Sequence, residues 1–154
     1  MIDIDIKFMK QALKEAQKAF EKDEVPVGAV IVKDGKIIAR GHNNRESKLD
    51  PTGHAEIIAI RKAAKKLKNW RLEDTTMYVT IEPCSMCAGA LVWARVGRIV
   101  YGASEPKGGA LGSSFNLYEQ KNLNHYPSVS AGVLEQECSA LISSFFKNKR
   151  DRKK

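Results

Sequence analysis

The chain has 154 residues, 43% of them hydrophobic, and a formal net charge of +8 at neutral pH. That length suits a single domain, residues 1–154, with a real core, and the apolar runs are far too short to span a bilayer. The charge excess favours a polyanionic partner, nucleic acid first, although basic helices that merely keep a protein in solution would produce the same excess.

In chain order, residues 6–22 read as an amphipathic helix. Ile6, Met9, Leu13, Ala16 and Phe20 form one stripe, and Lys7, Lys10, Lys14, Lys18 and Lys22 fall away from it. Glu24-Val25-Pro26 breaks it. Residues 27–32 are apolar and β-branched, hence a buried strand, and Asp34-Gly35 signals a tight turn into a second strand over 36–41. Gly28 marks a close backbone approach. The polar stretch 42–53, with Asp50-Pro51, is expected to be a loop. Helical spacing resumes over 54–68, followed by a strand at 77–81, an apolar helix at 84–95 and a strand at 98–102. This alternation predicts α/β layering with crossover connections. Residues 103–128 are rich in glycine, serine, asparagine and proline; Gly108-Gly109 and Gly112-Ser113-Ser114 look flexible, and so long an irregular segment suggests a lid or binding loop. A short strand over 128–133 and a helix starting near Leu134 complete the chain. Its tail, 147–154, has six basic residues of eight. A frayed, solvated end and a phosphate-binding end beside Phe145 and Phe146 are equally consistent with that composition.

One stretch carries chemistry. His54-Ala55-Glu56 and Pro83-Cys84-Ser85-Met86-Cys87 form H-x-E followed by P-C-x-x-C, the known signature of zinc-dependent nucleobase deaminases. His54, Cys84 and Cys87 fill three positions of a tetrahedral zinc and leave the fourth for water. Cys84 and Cys87, three apart at a helix start, share a face over free N–H groups that favour thiolates. Glu56 is the proton shuttle between the water and the departing amine. Plainer readings are a redox C-x-x-C pair, a structural metal completed by His42, His125 or Cys138, and a core histidine with no metal. None of the three needs the glutamate or the proline. Cys138 has no disulfide partner if the other two cysteines hold a metal, and the acidic residues 1–5 lack a signal peptide's basic and apolar regions. A cytoplasmic protein is therefore expected.

Beyond this motif, Glu24-Val25-Pro26-Val27-Gly28-Ala29-Val30, Asp50-Pro51-Thr52, Tyr78-Val79-Thr80, Cys87-Ala88-Gly89-Ala90 and Asn124-His125 together resemble the bacterial tRNA-specific adenosine deaminases of the cytidine deaminase-like superfamily. The resemblance implies a three-layer α/β/α fold, with a five-stranded mixed sheet between helices, and a homodimer with one Zn(2+) per subunit. It implies conversion of the wobble adenosine of a tRNA anticodon stem-loop to inosine. By position it assigns Asn43 to the adenosine pocket, Glu105 and Lys107 to the loop along the anticodon groove, and Phe145, Phe146 and Arg150 to a helix against the loop nucleotides. Two positions depart from the pattern. Glu105 stands where some relatives carry aspartate, and Tyr126 stands where many carry arginine. A deaminase of a free base, nucleoside or nucleotide would share the motif, and an RNA-binding module stabilised by zinc would share the charge.

Overall fold

A computed structural model describes residues 3–152. The first helix, α1 (Asp3–Glu21), begins three residues before the apolar stripe does. Strands β1 (Gly28–Lys33) and β2 (Lys36–His42) make a hairpin across Asp34-Gly35, both at positive φ (51° and 74°), as a tight two-residue turn requires. A short helix, α2 (Arg45–Lys48), interrupts the stretch expected to be a loop, and α3 (Ala55–Leu67) follows. Then come β3 (Thr75–Ile81), α4 (Ser85–Trp93), β4 (Arg98–Ala103), a 3-10 turn at Leu117–Glu119, β5 (Ser128–Ser130) and α5 (Glu135–Arg152). The sheet order is β2-β1-β3-β4-β5. β1 runs antiparallel to both its neighbours, and β3, β4 and β5 are parallel, so the sheet is mixed.

Strand alternation sorts the core onto two faces. Ala29, Ile31, Met77, Val79, Ile99 and Tyr101 pack with the alanine face of α3 and with Ala88 and Leu91 of α4. Val30, Val32, Tyr78 and Val100 pack with Phe8, Met9 and Ala12 of α1 and Cys138 of α5. This is the three-layer α/β/α arrangement. Gly28 lets α1 lie directly on β1, because a Cβ there would collide with the Ala12 carbonyl oxygen and the Ala16 amide.

The extra turn at the start of α1 is held by a distant partner. Buried Asp5 accepts two hydrogen bonds from the Arg98 guanidinium, at 2.9 and 2.8 Å, and a third from the Tyr78 hydroxyl at 2.7 Å. The Arg98 hydrogen bonds, with help from Tyr78 and against burial, hold the Asp5 carboxyl below its usual value. Ionised Asp5 therefore stabilises the fold at any pH above its unfolded value of about 3.9, and that stability is lost as pH falls through the lower folded value. Asp5→Asn is expected to cost about 2 kcal/mol at neutral pH. The gap between variant and wild type should narrow below pH of about 4, which urea melts at neutral and acid pH will check.

Candidate active site

The site lies at the sheet end where β2 and β3 finish and β1 begins. His54 is the N-cap of α3 and Cys84 the N-cap of α4, both in extended backbone conformation, with Cys87 in the first turn of α4. Two helix N-termini thus aim at one point, and each brings free N–H groups and the positive end of its dipole. The Cys84 and Cys87 sulfurs lie 3.6 and 3.5 Å from His54 Nδ1. Among the described residues these three side chains form the one group arranged to hold a metal ion, with ligand atoms within 4.8 Å of one another. The residues that could have closed a structural site are engaged elsewhere. His42 contacts Glu15 at 3.1 Å and Lys22 at 3.2 Å, the His125 ring bonds the Val96 carbonyl at 2.7 Å, and Cys138 is buried on the opposite face of the sheet.

The electrostatics suit a cation. The thiols of Cys84 and Cys87 compete for one proton. A hydrogen bond from Cys87, with help from His54, pulls Cys84 down to about 4, and the same bond, with burial, pushes Cys87 up. A metal ion in place of that proton would let both be thiolates. Glu56, two residues from His54 in the first turn of α3, is only 4% exposed. Burial raises its carboxyl to about 7, a value at which it can both accept and donate a proton.

The pocket above these groups holds about 170 Å³ and is walled by Val25, Val27, Asn43, Arg45, Ile81 and Glu82 together with His54, Glu56 and Cys84. Sequence reasoning singled out Asn43 but missed Arg45 and Glu82. Arg45 opens α2, whose position depends on a tertiary contact: buried Glu24 accepts the N–H groups of Glu46 and Ser47 at 3.1 and 2.6 Å. Glu82 does the same for the loop after β4. Burial alone would raise its carboxyl, but the Ser113 hydroxyl and the N–H groups of Glu105, Ser113 and Leu111 outweigh it and hold the group low.

A second cavity of about 680 Å³ lies between that loop and α5, lined by Glu105, Pro106, Lys107, Ile142, Phe146, Lys149 and Arg150. Four of the five residues assigned to RNA by resemblance therefore meet in one groove. Phe145 does not, which corrects that assignment. It is 3% exposed and packs edge-on against Phe20 at 5.8 Å, with the Lys149 ammonium 5.3 Å from its ring centre. Neighbours on a helix point about 100° apart, so when one of the pair enters the core the other faces out, and Phe146 is 43% exposed. The tail is likewise less free than a frayed end. It stays helical to Arg152, which pairs with Asp23 at 2.8 Å; Lys153 and Lys154 lie outside the described residues. Nor is the glycine-rich segment loose, for Glu82 grips it, and further along the Tyr118 hydroxyl bonds the Ala88 carbonyl at 2.8 Å. Tyr126 stays exposed, its hydroxyl donating to the Gln120 carbonyl at 2.6 Å.

The family model described as MafB19-like deaminase matches residues 4–150. The tRNA-specific adenosine deaminase of Bacillus subtilis is 52% identical over 147 residues, 96% of this chain and 91% of that one. The chain belongs to this deaminase family. A solved structure from work on A-to-I editing by tRNA:A34 deaminases at the wobble position superposes with a TM-score of 0.85 at 47% identity, covering 88% of this chain and 98% of that one. A solved guanine deaminase of Bacillus subtilis is more distant, with a TM-score of 0.61 at 38% identity over 77% of this chain and 85% of that one. As a member of the family the protein is an enzyme with the cytidine deaminase-like fold expected from its motifs. Among the described residues no helix is long and apolar enough to cross a membrane.

Proposed function

We infer that this deaminase, acting as one domain over residues 1–154, hydrolyses the wobble adenosine of a tRNA anticodon to inosine and releases ammonia. The observation that carries this reading is the basic, aromatic groove beside the deaminase pocket, the two being linked through Glu82, which lines the pocket and accepts the N–H of the groove residue Glu105. A free base needs only the pocket.

His54, Cys84 and Cys87 would hold zinc. A tetrahedral ion bound to nitrogen at about 2.0–2.1 Å and to sulfur at about 2.3 Å sets those atoms about 3.6 Å apart, which the 3.5 and 3.6 Å separations match. When bound, zinc supplies a Lewis acid that acidifies water enough to make it a nucleophile near neutral pH. Glu56 would move both water protons in turn, the first to the ring nitrogen as the C6–O bond forms and the second, from the new C6 hydroxyl, to the leaving amine as the C6–N bond breaks. Asn43 offers an amide that can both donate to and accept from the edge of adenine, and Arg45 adds a cation at the rim. A wobble base leaves a single-stranded loop at low cost. Lys107 and Arg150 suit the flanking phosphates, Phe146 a neighbouring base, and Glu105 a ribose hydroxyl.

The homodimer implied by the family is supported by α4, which is apolar on all sides and leaves Trp93 67% exposed beside partly exposed Met86 and Ala90. A tRNA substrate and three free cysteines agree with the cytoplasm.

Two adjacent substitutions separate fold from groove. Phe145→Ala should destabilise the protein by about 3 kcal/mol, the usual cost of emptying an aromatic core site. Phe146→Ala should change stability by no more than about 0.5 kcal/mol yet weaken RNA binding by about 1–3 kcal/mol. Thermal melts and binding of a labelled anticodon stem-loop check the pair. The function itself is tested by incubating the protein with unmodified tRNA carrying a wobble adenosine, beside free adenosine, guanine and cytosine. Inosine at that one position, found by sequencing, is the expected result; ammonia from a free base with the tRNA untouched would overturn it.

A further inference from the structure

Glu82 follows β3, is 3% exposed and lines the catalytic pocket, yet it has no part in the acid–base chemistry assigned to Glu56. All its side-chain hydrogen bonds go to one loop, while its backbone N–H donates to the Ala103 carbonyl at the end of β4. Oε1 accepts the Glu105 N–H at 3.1 Å and the Ser113 hydroxyl, while Oε2 accepts the N–H groups of Leu111 at 3.0 Å and Ser113 at 3.1 Å. Gly109 lies against the same carboxylate, where a Cβ would collide with its carbon and with Oε1. The adjoining Pro83 carbonyl accepts the Ala110 N–H at 2.9 Å. Cys84 comes next in the chain. The stretch that presents a metal ligand thus also anchors the loop carrying Glu105 and Lys107.

We propose that Glu82 is a positioning residue: the 105–113 loop is wound around its buried carboxylate, and this contact sets the span between the base pocket and the groove of Glu105, Lys107, Phe146 and Arg150. The inference rests on the tRNA reading for its effect on substrate, but the loop contact can be tested apart from it.

The donor pattern requires a carboxylate. Three of the four partners are backbone N–H groups, which cannot reverse their role. In Glu82→Gln the amide NH₂ must take one oxygen position. At the Oε2 position it would oppose two N–H groups. At the Oε1 position it opposes only the Glu105 N–H, because the Ser113 hydroxyl can turn and accept. The second placement is favoured, and it releases the Glu105 end while residues 111 and 113 stay held.

The test compares zinc-loaded wild type, Glu82→Gln, Gly109→Ala and Ser113→Ala. Glu82→Gln should raise KM for an anticodon stem-loop about tenfold, with kcat within about twofold, since an interaction common to ground and transition state is lost. Gly109→Ala, which disturbs the contact from the loop side, should shift KM in the same direction. Ser113→Ala keeps all three N–H bonds but loses the hydroxyl, and should shift KM in the same direction by less than Glu82→Gln does. Amide hydrogen exchange over residues 104–113 should quicken in Glu82→Gln and Gly109→Ala whatever the substrate. Unchanged KM and unchanged exchange in Glu82→Gln would overturn the proposal. So would a fall in kcat at constant KM, or loss of metal from Glu82→Gln while Gly109→Ala behaves as wild type. If wild type itself leaves the stem-loop unedited, the tRNA reading has failed, and the exchange data alone decide whether Glu82 anchors the loop.

Discussion

Glu56→Gln is expected to lower kcat by about three orders of magnitude, the range associated with a group that transfers protons in the rate-limiting chemistry. The substitution preserves shape and removes the carboxylate that would carry the two water protons, one to the adenine ring nitrogen and one to the departing amine. Glu56 opens α3 two residues after His54 and is almost wholly buried in the same pocket. Because a buried carboxyl becomes a neutral amide of the same size, the melting temperature should hold or rise. Metal content should stay at one ion per chain, since the ligand set is untouched. Steady-state inosine formation, elemental analysis and a thermal melt test these points together. A variant that keeps a tenth of wild-type activity would remove Glu56 from its proposed role, and one that loses metal would recast it as a ligand.

Removal of the metal should be as severe and should affect the fold as well. Exhaustive chelation is expected to reduce deamination to background, and one equivalent of zinc per chain should restore it. A ligand present at about a thousand times its Kd stabilises the native state by about 4 kcal/mol, so the metal-free protein should melt at a clearly lower temperature. The reason is local: without a cation, the Cys84 and Cys87 sulfurs, each within 3.6 Å of His54 Nδ1, must share protons in a partly buried space. Cys87→Ser should reproduce the chelated state without chelator, since a hydroxyl is a poor zinc ligand. A lower melt with full activity would mean a structural ion. Activity that survives in protein shown by elemental analysis to be metal-free would end the zinc reading altogether.

Much of this was legible in the chain because it depends on short-range rules. The apolar stripe of α1, the β-branched run of β1 and the turn at Asp34-Gly35 are local periodicity and local dihedral preference. The misreadings share a different cause. Helix α2 has no side-chain cap of its own and is held by Glu24, twenty-odd residues away in sequence. The first turn of α1 depends on Arg98. The glycines of the 103–128 segment read as flexibility, but Gly109 is small because Glu82 occupies the space beside it.

By itself, then, the sequence singled out His54, Cys84 and Cys87 as a candidate donor set with Glu56 beside it, and the α/β layering, since ligand softness, helix-start spacing and strand alternation are properties of residue types at fixed offsets. Only the tertiary structure decided which of Phe145 and Phe146 faces the groove, because helix phase has no meaning until Phe20 fixes it. It alone placed Arg45 in the pocket and wound the loop about Glu82, since a buried carboxylate finds its N–H partners by where the chain returns in space.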